Sequence, residues 1–216
     1  MNNDEFMDEM LMDYDEQVEY LLNKYGGAKY DYFHNETCKS INQKVKRTKE
    51  GLFCHHIDEN IYEDISNPMI AKDRPFSIQK ADRLVYCNYL EHLLLHMKIG
   101  RIRFTNLFGE GEIPSQVPWP ALAFVTPGLV FICSNLNELY DQNGSSTPWR
   151  MRCYQEVEDN FEDYIFALNQ FIIFTKGACE DEESETFLES VLLLKRRLSS
   201  NWQGETVEKI ERKLKE

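Results

Sequence analysis

Residues 52–98 begin with LFCHHIDE, end with RLVYCNYLEHLLLHMK and hold four of the five histidines in the chain. His55 and His56 are adjacent, whereas His92 and His96 are four residues apart in a run that is typical of a helix. Side chains at that spacing lie one above the other on the same helical face, so two imidazoles can bind one metal ion. A third ligand must come from elsewhere, and the pair His55–His56 is its most direct source.

The segments around these histidines predict the order strand, connection, strand and helix. Residues 52–57 form a short apolar run typical of a strand, and residues 83–87 are predicted to be its partner. The connection over 58–82 contains two X-Pro turn signals, and a loop that long in a compact domain usually has a function. Residues 90–99 are predicted to form a helix that is apolar nearly all round and that ends at Gly100.

This order of elements resembles the HNH nuclease superfamily, also called the ββα-metal fold. The resemblance lies in CHHIDE (54–59) and LVYCNYLEHLLLH (84–96), where many HNH proteins have HHID and EHxxxH, and it covers about a fifth of the chain. The chain is also similar to a group of bacterial HNH-like proteins. The resemblance implies that one divalent metal ion is held by His55, His92 and His96. It implies that His56 is the general base that takes a proton from water.

Arg83 occupies the position where the family has its central Asn. Arg binds phosphate well through paired N–H donors, so Arg83 is a candidate to hold the scissile phosphate. The same residue would equally serve a structural salt bridge, or mark a site that is impaired. Asp58 and Glu59 follow the histidine pair and are candidates to orient the imidazoles.

The identity of the metal ion is restricted but not determined by the ligands. Three imidazoles suit Zn, Ni, Co or Mn better than Mg, which prefers oxygen ligands. HNH enzymes nonetheless often use Mg, so the resemblance keeps Mg among the candidates. We therefore expect one divalent ion that is Mg, Mn, Zn or Ni.

The net charge of −13 argues against attraction of the whole surface to nucleic acid or to an anionic membrane. Residues 4–19 carry eight Asp and Glu with no Lys or Arg, which predicts an acidic helix that is either solvated or offered to a protein partner. Residues 39–49 carry five basic residues and no acid. The candidates there for contact with a DNA backbone, or for a merely solvated loop, are Lys44, Lys46, Arg47 and Lys49.

Six cysteines occur without any C-x-x-C pair, which argues against a zinc knuckle or a redox pair. The N-terminus lacks a signal-peptide pattern, and no apolar run approaches the length of a membrane span. These features predict a cytoplasmic protein with free cysteines and no membrane association. The sequence does not specify an oligomeric state.

The predicted fold class is α+β and mainly helical. We expect an acidic N-terminal helix and linker over 1–38, an HNH-like ββα-metal core over 39–100 and a helical C-terminal region packed on the core over 101–216. A helix is predicted over 4–25 before the core. The helices predicted after the core are 135–141, 149–160, 163–175, 182–199 and 207–214.

Two functions from different classes fit these residues. The first is a metal-dependent HNH endonuclease that hydrolyses phosphodiester bonds of DNA, with RNA as the other candidate substrate. The second is a catalytically impaired HNH-fold binding protein, a regulator or inhibitor of the phage or plasmid type that acts on a protein partner. The acidic net charge and Arg83 in the Asn position favour the second function.

Overall fold

The computed structural model describes residues 2–108, 128–142, 147–178 and 212–213. In chain order the α-helices of these residues are α1 (Asn3–Leu11), α2 (Tyr14–Tyr25), α3 (Pro68–Ala71), α4 (Tyr89–Phe108), α5 (Leu129–Gln142), α6 (Pro148–Gln155) and α7 (Phe161–Ala178). The strands are β1 (Phe53–His56) and β2 (Leu84–Cys87). The described part of the chain is thus mainly helical with one small sheet, which confirms the predicted α+β class.

The sheet is a two-stranded antiparallel pair. Its register places His55 opposite Val85 and His56 opposite Leu84. Both strands lie where the sequence predicts them, because short β-branched and aromatic runs bounded by turns favour extended backbone. The strand–connection–strand–helix order predicted for residues 52–98 is therefore present.

The single helix predicted over 4–25 is wrong, because the structure divides this segment into α1 and α2. Asp13 begins α2: its side chain accepts a hydrogen bond from the Glu16 N–H, and the Glu16 carboxylate accepts one from the Asp13 N–H. This reciprocal capping box satisfies donors that a continuous helix would have paired internally.

The predicted end of the central helix at Gly100 is also wrong, because α4 continues to Phe108. A helix-interior glycine costs about 1 kcal/mol relative to alanine. Burial offsets that cost, since Ile99 and Phe104 are only 1% and 4% exposed on either side of it.

The connection over 58–82 is more regular than the predicted loop. It contains the 3₁₀ turns Ile57–Asn60, Phe76–Gln79 and Ala81–Arg83, with α3 between the first two. Asn67 caps α3 by accepting a hydrogen bond from the Met69 N–H, and Pro68 follows at the first helical position.

Helix α4 lies at the centre of the fold. Leu93 and Leu94 belong to a buried cluster with residues of α1, α5, α6 and α7, whereas Leu95 faces a second cluster with residues of α2 and β2. Because α4 is covered on both sides, its apolar character nearly all round is explained by burial. The three-part division of the chain stays a prediction.

Of the predicted C-terminal helices, 135–141 lies within α5, 149–160 overlaps α6, and 163–175 lies within α7. The helix at 182–199 and all but two residues of the one at 207–214 lie outside the described residues. None of the helices in the described part of the chain combines the length and apolar character that a membrane span requires. The described cysteines are free thiols, namely Cys38, Cys54, Cys87, Cys133 and Cys153.

Candidate metal centre

Three histidines meet between β1 and α4. His55 projects from the strand, and His92 and His96 project from one face of the helix a turn apart. The ring centroids of His55 lie 5.3 Å from those of both helical histidines, which are themselves 4.8 Å apart. One ligand atom from each imidazole lies within 4.8 Å of the others, so this cluster could hold a metal ion. The three residues predicted as ligands are therefore brought together.

Burial favours the neutral form of His55 and His92. His55 and His96 are 1% and 4% exposed, and His92 is half-buried. Burial lowers the pKa of His55 and of His92, and the neighbouring histidines lower both further. A neutral imidazole presents the lone pair that metal binding requires.

Tyr14 from α2 fixes the tautomer of His55. Its hydroxyl donates to the Ile57 carbonyl at 2.9 Å and lies 3.0 Å from His55 Nε2. A hydroxyl has one proton to donate, so the second contact requires an Nε2–H on His55 that donates to the Tyr14 oxygen. The lone pair of His55 is therefore on Nδ1.

Two buried nitrogens of this cluster have the character of metal ligands. His55 Nδ1 and His92 Nδ1 are buried and have no hydrogen-bond partner. An unsatisfied buried polar atom costs about 1–3 kcal/mol, and two of them in one cluster are explained if both bind an ion. The residues present thus fit a metal ion.

His56 lies next to the cluster but not within it. Its Nε2 is 2.8 Å from Gln79 Oε1, and the Gln79 amide in turn donates to the Ile65 carbonyl at 2.9 Å. Because that bond orients the amide, Oε1 accepts from a His56 Nε2–H, and Nδ1 is the basic nitrogen. The ring packs against Tyr32 at 4.3 Å, and burial lowers the pKa of His56 to about 4.

A cleft of about 590 Å³ runs past these groups between β1 and α5. His56, His92 and His96 line it together with Glu59 and Asp64, and the rest of the lining is aromatic, apolar or uncharged polar. No Lys or Arg of the described residues lines it. Its remaining lining residues are Tyr32, Phe53, Cys54, Ser66, Tyr89, Gly128, Phe131, Ile132 and Asn135.

Arg83 lies outside this lining and pairs with Asp58. Its Nε donates to Asp58 Oδ2 at 2.8 Å, and its Nη2 donates to the other carboxylate oxygen. Of the two acids predicted to orient imidazoles, Asp58 is thus bound to Arg83, and Glu59 lies beside His55. Burial raises the pKa of Glu59 to about 7.

The basic segment over 39–49 lies beside the cleft rather than in it. Arg47 donates to Glu50 and to the Tyr25 carbonyl, and Lys44 lies 5.4 Å from the centre of the Tyr30 ring. Lys46 lines a second hollow together with Trp149. This hollow shares Tyr32, Phe53 and Cys54 with the cleft that passes the histidines. Contact of this segment, including Lys49, with DNA stays a prediction.

Three residues of the site were not predicted from sequence. Tyr14 and Gln79 orient the two strand histidines, and Gly128 packs on the third imidazole of the cluster. A Cβ added at Gly128 would lie 2.7 Å from His96 Cε1, and its φ of +80° is a conformation that favours glycine. None of the three forms a local pattern with the histidines, so sequence spacing offers no signal for them.

Comparisons of the chain with family models, with curated proteins and with solved structures found no match. The HNH resemblance therefore depends on the histidine motifs and on the order of the elements that carry them, and it stays a prediction.

Proposed function

We propose that this protein is a metal-dependent endonuclease of the HNH type that hydrolyses phosphodiester bonds of DNA. The observation that carries the proposal is the His55–His92–His96 cluster, with two buried unpartnered nitrogens, beside a neutral His56 in the same cleft. A metal site with a neutral imidazole next to it supplies the two components that phosphodiester hydrolysis requires.

A divalent ion held by the three histidines would supply positive charge against a phosphate oxygen and the leaving group. His56 would take the proton of the attacking water on Nδ1, since its Nε2–H is bound to Gln79. The Gln79 amide holds the ring in place during the transfer. The nearby Asp58 carboxylate favours the protonated form of His56 that results, because it raises the pKa of that imidazole.

The proposed phosphate contact of Arg83 has to coexist with its pairing to Asp58. The two bonds to Asp58 use the Nε–H and one N–H of Nη2, so the phosphate contact would come from Nη1 or from the second N–H of Nη2. The Arg83 side chain is 42% exposed, which leaves it accessible to a substrate on the surface.

Plasmid nicking with and without a chelator tests the function. We expect cutting by the wild-type chain with Mn²⁺ or Mg²⁺ and its loss in EDTA. His56→Ala should abolish cutting while one metal ion stays bound, and His92→Ala should lose both. The control is His34→Ala, since His34 is exposed and is not part of the cluster. Undiminished cutting by His56→Ala would refute the assignment of the base.

A second candidate is a binding protein that keeps the metal site without catalysis. The described lining of the cleft supports this second function, since its acidic side chains, Glu59 and Asp64, would repel a nucleic-acid backbone and no Lys or Arg of the described residues lies there. A separate hollow on α1 and α2 exposes Leu11 (82%) among Asp8, Glu16 and Glu19. Such a surface suits a protein partner with basic and apolar residues. A fall in melting temperature on chelation, with no cleavage of any DNA or RNA, would support this function instead.

A further inference from the structure

Glu59 places a carboxylate next to the histidine cluster that is the proposed metal site. It lies on the 3₁₀ turn Ile57–Asn60, four residues after His55 and directly beyond β1. Its Oε2 is 3.5 Å from His55 Nδ1, and its side chain is 15% exposed and lines the cleft. The mostly buried carboxylate of Glu59 thus lies beside His55 Nδ1, the ring nitrogen that carries no proton. This arrangement requires an explanation.

The distance between these two atoms does not fit a hydrogen bond. N–H···O bonds in proteins span about 2.7–3.2 Å, and His55 Nδ1 has no hydrogen-bond partner. The Nε2–H of His55 is bound to the Tyr14 hydroxyl, so Nδ1 and the carboxylate oxygen both act as acceptors. Two acceptors that face each other in a mostly buried place repel each other unless a cation or a proton lies between them, and an ion satisfies both.

The same distance fits two ligands of one ion. Donor atoms that each lie about 2.1 Å from an ion, at a tetrahedral angle, are about 3.4 Å apart. The separation of 3.5 Å between Glu59 Oε2 and His55 Nδ1 is close to that value. Glu59 is outside the group of ligand atoms that all lie within 4.8 Å of one another, so its carboxylate would have to turn toward His92 and His96 to share the ion.

The charges around the site are consistent with this role. Three neutral imidazoles offer no negative charge to a divalent cation, so a buried carboxylate would balance part of it. Asp58 is bound to Arg83 and does not serve that purpose. Arg103 donates to the backbone carbonyl of Glu59 and to the side chain of Glu63, which holds the turn through those two groups.

We propose that Glu59 is the fourth protein ligand of the metal ion, so that the site is three histidines and one carboxylate. The inference rests on the proposed metal site and adds a residue to it. An oxygen ligand with negative charge favours hard ions such as Mn²⁺ over the softer Zn²⁺. Loss of the carboxylate is therefore expected to weaken Mn²⁺ binding more than Zn²⁺ binding.

Metal affinity, measured on the full chain with Mn²⁺ and with Zn²⁺ in competition with a chromogenic chelator, tests this proposal. Glu59→Gln should bind Mn²⁺ at least tenfold more weakly than the wild-type chain, with a smaller loss for Zn²⁺. Glu63→Gln is the matched control, because Glu63 lies four residues further on, pairs with Arg103 and is absent from the cleft lining. We expect that control to keep wild-type affinity for both ions.

The outcomes separate this proposal from the one on which it rests. Wild-type affinity for Mn²⁺ in Glu59→Gln overturns the role of Glu59 and leaves the histidine site intact. A wild-type chain that binds neither ion overturns both. Circular dichroism of each variant checks the fold. If Glu59→Gln does not fold, Glu59→Asp provides the test, since it keeps the charge, withdraws the carboxylate by one methylene and should still lose Mn²⁺ affinity.

Discussion

At the scale of single residues, the position of one proton decides what each strand histidine can do. His55 and His56 both carry their proton on Nε2, where Tyr14 and Gln79 respectively accept it. Both therefore keep a lone pair on Nδ1. His55 belongs to the cluster with His92 and His96, whereas His56 lies outside that cluster and packs on Tyr32.

Tyr14→Phe should weaken metal binding. The substitution keeps the ring and removes the hydroxyl that holds the His55 Nε2–H and the Ile57 carbonyl. Loss of such an orienting partner typically costs 10–100-fold in metal affinity. We expect a loss of about tenfold, measured with a competing chelator, and a loss of about 1 kcal/mol in the free energy of unfolding.

The control for this change is Tyr30→Phe, since Tyr30 is 44% exposed and its ring contacts Lys44 and not the histidine cluster. An unchanged metal affinity in Tyr14→Phe, with the fold intact, would show that Tyr14 does not orient the ligand.

The sequence predicts the ligands better than it predicts their partners. The spacing of His92 and His96 places two imidazoles on one helical face, and that rule is local. Tyr14 reaches His55 across 41 residues and Gln79 reaches His56 across 23, so both contacts depend on tertiary packing. No local pattern marks either partner.

At the scale of elements, α5 packs against the cluster through a glycine. Gly128 directly precedes α5, and its carbonyl accepts the first hydrogen bond of that helix, from the Ile132 N–H. Its α-carbon faces the ring of His96 so closely that a methyl group would overlap it. Only a residue without a side chain lets α5 approach the histidine cluster at this point.

Gly128→Ala should therefore damage both stability and metal binding. Left-handed backbone costs a non-glycine residue about 1–2 kcal/mol, and the methyl group would in addition displace His96 or α5. Thermal unfolding and metal affinity measure the two effects.

Gly26→Ala is the control for metal affinity, since nothing lies within 4 Å of a Cβ added there and its φ of +75° with a ψ of 159° strains alanine for backbone reasons alone. It should show the backbone cost alone, with full metal affinity. Equal losses of metal affinity in the two variants would contradict the role of close packing at His96.

Element boundaries show what sequence patterns miss. The strands and the start of the helix with two histidines follow from residue types and spacing. The low helix propensity of glycine predicts that the helix ends at Gly100. Helix α4 nevertheless continues past it, because Ile99 and Phe104 are buried. The break before α2 has a local signal in Asp13 and Glu16, but the rough apolar stripe of 4–25 conceals it.

At the scale of the whole molecule, a buried charged network joins the N-terminal helices to α4. Lys24 Nζ donates to Glu91 Oε1 at 2.7 Å and lies 3.7 Å from Glu9 Oε1. The Gln17 amide donates to the other oxygen of Glu9 at 3.0 Å. This network fixes α2 against α4 and so positions Tyr14 at the histidine cluster.

The acidic segment over 4–19 is only partly the solvated surface that its composition indicates. Glu9 is 0% exposed and Glu5, whose side chain is 25% exposed, is turned toward Lys24, because a nearby cation offsets part of the cost of withdrawing a carboxylate from water. Composition alone does not show which acids of an amphipathic helix face inward.

Stability should fall as the pH rises from about 4.5 to 7, and Glu9→Gln should reduce that fall. Burial, with the nearby Glu91 charge, raises the pKa of Glu9 from 4.5 to about 7. The folded state thus holds a proton that the unfolded state loses above its own pKa, so stability is lost between pH 4.5 and 7. We expect a loss of roughly 1–3 kcal/mol from urea unfolding at pH 5 and pH 8.

Glu19→Gln serves as the control, since Glu19 is exposed. It should show the wild-type dependence on pH. The same fall in Glu9→Gln as in the wild-type chain would show that another group is responsible.

The central claim, that His55, His92 and His96 hold one divalent ion, is tested most directly by the anomalous difference map of a crystal grown with Zn²⁺. We expect one strong peak at the zinc edge, about 2.0–2.1 Å from one nitrogen of each imidazole. An ordered cluster with no peak between the three rings, or a zinc ion bound only elsewhere on the chain, would contradict it.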